Sequence, residues 1–177
     1  MAHPTVLLVD GYNIVGAWPR LVKLRDRHGL EAARTELIEI MIDYSAYRAH
    51  RTVLVFDAQL VTTPLVREEQ TPNLEICFTA FEQTADTFIE QYSYQLLRTG
   101  SARVMVATSD RAQQQLILAQ GADWLSAESL WQEVKRAREQ MRDGLKQRRP
   151  PGGGTLGDRL DPKIRERFSQ WRYGEGS

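Results

Sequence analysis

Three times in this chain an apolar run closes on, or just before, an aspartate, and helix-like stretches separate the copies. Val6-Leu-Leu-Val-Asp10 turns at once through Gly11 and Asn13, Arg51 to Phe56 stops at Asp57, and Ala102 to Ala107 leads through Thr108-Ser109 to Asp110. Short apolar runs bounded by turn formers read as buried strands of a parallel sheet. Strands joined through helices form right-handed βαβ units, which leave their carboxyl ends on one edge, where open α/β sheets place ligands. The expected fold is therefore α/β: a central, mostly parallel sheet flanked by helices, with Asp10, Asp57 and Asp110 along one edge.

The remaining segments fill in that frame. Pro19 opens a short helix that breaks at Gly29, and Leu30 to Ala49 reads as a long amphipathic helix. Residues 58–73 read as a loop leading to a strand at Leu74–Phe78. Thr84 opens a helix to about Arg98 that carries Asp86 and Glu90 four residues apart, hence on one face. A helix from Asp110 to Gln120, a brief strand at Ala122–Leu125 and a helix capped by Ser126 or Ser129 and running to about Arg149 follow. Pro150-Pro-Gly-Gly-Gly154 lacks the Lys-Ser/Thr of a phosphate loop and reads as a linker, and Asp161-Pro162 opens a last helix towards Trp171. One domain over residues 1–149, then a linker and C-terminal helix over 150–177, is the expected organisation.

With 177 residues, 42% hydrophobic and 26% charged, the composition is that of a globular domain. Its 23 basic and 23 acidic residues hide an asymmetry: Lys135 to Arg172 holds 12 Lys/Arg against 5 Asp/Glu. Lys135, Arg136, Arg138, Arg142, Lys146, Arg148 and Arg149 lie along one helix and its exit, where they suit a nucleic-acid backbone. Glu139 and Asp143 interleave with them, so a solvated helix with i,i+4 pairs reads equally well. Cys77 is the only cysteine, which fits a reducing compartment, the cytoplasm or a plastid stroma. The first apolar run is too short to span a bilayer, so no membrane partner is expected.

Gathering Asp10, Asp57, Asp86, Asp110 and Glu90 in one place is unfavourable without a cation, because like charges raise each other's pKa. Oxygen donors without a cysteine or histidine pair suit Mg2+ or Mn2+, and such an ion activating water is the apparatus of phosphodiester hydrolysis. Each acid also has a plainer reading. Asp110 and Asp86 can cap helices or complement their dipoles, Asp57 can start a turn, and Glu90 can be solvated. Asn13 can orient a bound water or phosphate, or simply adopt a left-handed turn. A response-receiver domain is disfavoured because no lysine lies between Lys23 and Lys135, and a haloacid-dehalogenase-like phosphatase because position 12 is Tyr12.

Taken together, Val9-Asp-Gly-Tyr-Asn13, Val55-Phe-Asp-Ala58, Thr84 to Glu90, Val106 to Asp110, Gly121 to Leu130 and Leu156 to Phe168 resemble the NYN branch of the PIN-like metal-dependent nucleases, and most closely the bacterial and plastid YacP-like family. The resemblance covers nearly the whole chain. It implies a PIN-like sheet with Asp10, Asp86 and Asp110 as metal-binding acids, and Asp57 and Asn13 close by. It also implies an endoribonuclease acting on RNA, with mRNA on the translating ribosome as the substrate of some members. The chain departs from the family at Gln59 to Asn73, where a more basic loop is expected and Arg67 is the only base. A non-catalytic RNA- or ribosome-binding module and a small-nucleotide phosphohydrolase are the alternatives.

Overall fold

A computed structural model describes residues 3–58 and 62–147. A six-stranded sheet in the order β3-β4-β2-β1-β5-β6 is built from β1 Thr5–Asp10, β2 Arg51–Phe56, β3 Val66–Thr71, β4 Leu74–Phe78, β5 Arg103–Ala107 and β6 Asp123–Leu125. Every adjacent pair is parallel except β3 with β4. The expected α/β architecture is thus the observed one. The chain moves outward from β1 to β2 and β4, then crosses back to β5 on the other side of β1. That reversal puts the switch point at the carboxyl end of β1.

Right-handed crossovers then fix which helix covers which face. Helices α1 Gly11–Ala17, α2 Pro19–His28 and α3 Leu30–Arg48 connect β1 to β2, and α6 Ala127–Gln147 joins them in one cluster, where Leu7, Val9, Leu54 and Phe56 pack with Trp18, Leu37, Met41, Leu130 and Val134. Helices α4 Ala85–Thr99 and α5 Arg111–Gln120 cover the other face, with Phe88, Ile89 and Ile117 on Val6, Leu8, Val53 and Val106. Alternation of side chains along β1 and β2 divides the two cores.

Local signals place the boundaries. Pro19 takes the first helical position of α2, Thr84 caps α4 through the Thr87 N–H at 3.1 Å, and Ser126 accepts the Ser129 N–H at 3.0 Å at the start of α6. Gly100 and Gly121 close α4 and α5 with positive φ of 60° and 93°. One expectation needs correction: residues 58–73 are not all loop, because Val66–Thr71 forms an antiparallel edge strand turned by Pro72-Asn73 onto β4. Its Arg-Glu-Glu-Gln run is exposed and lacks apolar alternation, so the periodicity that marks buried strands is missing.

Two compact units are present, Met1–Met141 and Arg142–Ser177, and of the second only Arg142–Gln147 is described, as helix. The expected linker from Pro150 and the helix from Asp161 lie outside the described residues. Among the described residues no helix is long and apolar enough to cross a membrane.

Two glycines of α1 make opposite predictions. A Cβ on Gly11 would run into the Phe56 ring, whereas one on Gly16 meets nothing within 4 Å. Gly11→Ala is expected to destabilise the fold by about 1–3 kcal/mol, and Gly16→Ala to stabilise it by about 0.5–1 kcal/mol. Urea unfolding of the two variants checks both signs.

Candidate active site

Side-chain parity brings the first acids together. Val6 and Leu8 face α4 and α5, so Asp10, next in the same phase at the end of β1, turns to that side. Asp57 follows Val53 and Val55 in the same way, one residue past β2. Helix α4 begins over this edge, and because Thr84 is its cap, Asp86 in the first turn is left to point at the neighbouring acids. Asp110 arrives from the far side of β1, three residues past β5.

Electrostatics shows that these acids share one locale. Asp10 is only 9% exposed, and its pKa is pushed up from 3.8 to about 7. Burial is the main cause, the Asn13 N–H opposes it, and the charge and hydrogen bond of Asp86 together with the charge of Asp57 add to it. Asp86 is raised too, by burial first and then by Asp110 and Asp57, while its hydrogen bond with Asp10 works the other way. Both carboxyls are therefore harder to ionise than a free aspartate. The structure thus brings Asp57 and Asp86 to bear on Asp10, and Asp10, Asp57 and Asp110 to bear on Asp86. Glu90, one turn further along α4 and half-buried, is not among the charges acting on Asp10 or Asp86.

Capping and site chemistry coexist at two of these residues. Asp110 caps α5, its Oδ1 accepting the Ala112 and Gln113 N–H groups at 2.8 and 3.2 Å. Asp10 caps α1, accepting the Asn13 N–H at 3.2 Å. Asn13 itself spans the switch point, since its Oδ1 accepts the Ser109 N–H at 2.8 Å and ties the turn after β1 to the loop after β5. That loop is held further by Trp124 Nε1, which donates to the Thr108 carbonyl at 2.9 Å. The left-handed turn expected as one reading of Asn13 is not formed: Asn13 lies in helix α1, and its side chain straps that helix to the loop after β5.

An all-carboxylate donor set whose members make one another harder to ionise fits a hard divalent cation, which would neutralise their charge. Among the described residues no three such groups already close on one point as a finished cage.

On the α3 side of the same edge lies a layer that sequence patterning did not reveal. The Tyr12 and Phe56 rings are 5.0 Å apart, Phe56 stacks on Phe78 at 5.7 Å, and the Arg34 guanidinium lies 6.0 and 5.5 Å from the centres of the two Phe rings. The available signal was that β2 and β4 both end on phenylalanine, opposite each other in register.

The expected nucleic-acid residues on α6 sit elsewhere. Helix α6 starts near the carboxyl edge after β6 and runs away from it. By Glu133 it has reached the far end of α3, where Tyr44 donates to Glu133 at 2.6 Å and Arg48 pairs with Glu133 at 3.8 Å. Lys135 covers the Trp131 ring, Trp131 packs on Trp18, and Arg136 is exposed. Lys135, Arg136 and Arg138 are thus not brought beside the carboxylates. Arg142 and Lys146 belong to the second unit, with Lys146 4.0 Å from Asp143, and Arg148 and Arg149 lie outside the described residues. Arg67, the one base expected in the 59–73 segment, pairs with Glu75 at 3.1 Å and lies over Tyr92 and Phe88.

Comparison with known proteins agrees with this geometry. The model of the YacP-like NYN domain matches residues 7–173. The chain belongs to the YacP-like NYN domain family. It is 35% identical over 173 residues to the uncharacterized protein YacP of Bacillus subtilis (strain 168), covering 96% of this chain and 98% of that one. A crystal structure of Rae1 (YacP) from Bacillus subtilis superposes with a TM-score of 0.67 at 35% identity, over 96% of this chain and 95% of that one. A crystal structure of a mutant of the same Bacillus protein superposes with a TM-score of 0.70 at 31% identity, over 94% of this chain and 99% of that one. The NYN fold is nuclease-like, and in this member its carboxylates stand at the switch point of the sheet.

A pH prediction follows from Asp10. Its folded-state pKa lies above that of a free aspartate, so the metal-free fold binds a proton that the unfolded chain releases. Stability of the metal-free protein is expected to fall as pH rises from 3.8 towards about 7, and Asp10→Asn to flatten that fall. Urea unfolding at a series of pH values measures it.

Proposed function

We propose that this protein is a divalent-metal-dependent endoribonuclease that hydrolyses RNA phosphodiester bonds. One observation carries the reading: Asp10 is buried at the sheet's switch point with the charges of Asp86 and Asp57 upon it, and Asp86 in turn feels Asp110 and Asp57. Membership of a family with a nuclease-like fold supports it.

In this reading Asp10, Asp86 and Asp110 hold Mg2+ or Mn2+. The bound ion supplies the charge that lowers the pKa of an attacking water and stabilises the leaving oxygen. Each residue has its own task. Burial keeps Asp10 fixed on the central strand, and Asp86 brings a carboxylate from α4 whose own helix cap is Thr84. Asp110 presents Oδ2 outward while Oδ1 is engaged by α5. Asp57 orients water at the rim, and Glu90 assists from one turn further along α4 by orienting water. Asn13 sets the spacing of the two loops across which the substrate lies. Lys135, Arg136 and Arg138, with Arg142, Lys146, Arg148 and Arg149, hold RNA backbone. The substrate is mRNA, with the ribosome as the setting in which it is presented.

That the acids do not close into a finished cage favours a second reading, a non-catalytic RNA- or ribosome-binding module. Cleavage assays separate the two. Single-stranded RNA and ribosome-bound mRNA are expected to be cut with Mg2+ or Mn2+ and not with EDTA. Asp10→Asn and Asp86→Asn should each lower the rate by about two orders of magnitude or more, with unchanged circular dichroism. Asp110→Asn keeps the cap, since Asn and Asp are equivalent there, so its loss of rate reads the charge alone. Glu90→Gln should change the rate far less. RNA binding that persists in EDTA and in Asp86→Asn, with no products from wild-type protein, selects the binding module.

A further inference from the structure

The acids alone repel RNA, and Lys135, Arg136 and Arg138 of α6 lie away from them, so the edge needs a cation of its own. We propose that Arg34 binds a backbone phosphate of the RNA next to the scissile one, on the α3 side of the carboxyl edge. This inference rests on the ribonuclease reading and names a substrate contact within it.

The geometry of Arg34 differs from that of a solvated surface arginine. Its guanidinium lies over two aromatic faces, Phe56 and Phe78, and its Nη1 donates to the Tyr12 hydroxyl at 3.4 Å. Those contacts fix the planar group without neutralising it. Arg67 makes a useful contrast, for it also lies over two rings but is paired with Glu75 at 3.1 Å. Among the described residues Arg34 pairs with no carboxylate, and the hydroxyl it meets is neutral. A half-buried guanidinium with several donors left to satisfy is suited to a phosphate, which accepts two of them side by side.

Position completes the case. Tyr12 lies two residues past Asp10, at most about 7 Å along the chain, and Phe56 directly precedes Asp57. Arg34 is nonetheless not among the charges acting on Asp10 or Asp86, so it does not quench them. A strand crossing the edge from α4 to α3 would meet the carboxylates first and Arg34 next. Arg111, exposed at the same edge, would have to give up rotamer freedom to make such a contact. Arg34 is already held.

The test uses the full chain and a fluorescently labelled single-stranded RNA of about ten nucleotides, with EDTA present to prevent cleavage and salt varied from about 50 to 200 mM. Arg34→Met keeps the stem over the rings and removes the charge. It is expected to weaken binding about tenfold and to reduce the slope of log affinity against log salt by about 0.7, the value of one phosphate contact on a single strand. Arg34→Lys should retain most of the slope. If Arg34→Met does not fold, Arg34→Gln reads the same loss. Wild-type protein that cuts RNA while the charge-removing variant binds with unchanged affinity and slope overturns the Arg34 assignment and leaves the ribonuclease reading standing. Wild-type protein that neither binds nor cuts RNA overturns both. A 5′-mononucleotide that competes as well as the oligonucleotide would mean that Arg34 takes a terminal phosphate, which overturns the backbone assignment.

Discussion

A carboxyl group buried at the end of the central strand is the constraint on which the rest of the molecule turns. Asp10 can ionise there only if its surroundings supply compensation, and what surrounds it is one backbone N–H and more carboxylates. The fold leaves Asp10 harder to ionise than a free aspartate, with Asp86 raised beside it. Such a centre stores an affinity for positive charge. Its members come from four separate elements, so the affinity exists only when the whole sheet is assembled.

Much of that centre was legible in the chain. Apolar runs ending in aspartate gave the strands, and right-handed connection gave the common edge. The i,i+4 pairing of Asp86 with Glu90 located the helix face but overstated Glu90, since a shared face does not make two side chains reach the same point. What stayed hidden has physical reasons. Strand β3 is polar because both its faces meet water. The strap from Asn13 to Ser109 joins residues 96 apart in sequence. The separation of Lys135, Arg136 and Arg138 from the acids depends on the direction in which α6 leaves β6, which charge patterning does not contain.

The edge is built in two halves that meet at Gly11. On the α4 side stand the acids, and on the α3 side the aromatic layer with its guanidinium. Gly11 is where the backbone passes so close to Phe56 that no side chain fits. Packing of one ring therefore sets the path of the turn that carries Asp10 into its site. A change in Phe56 would reach both halves, which makes this core residue part of the chemistry's geometry without touching a substrate.

The outer strands of the sheet have a further meaning. Strand β3 exposes Arg67, Glu68 and Glu69, and β6 at the other margin is only three residues long. Among the described residues neither margin offers a long apolar ladder on which a foreign strand could template itself, so the ends of this sheet are built against growing sheet upon sheet.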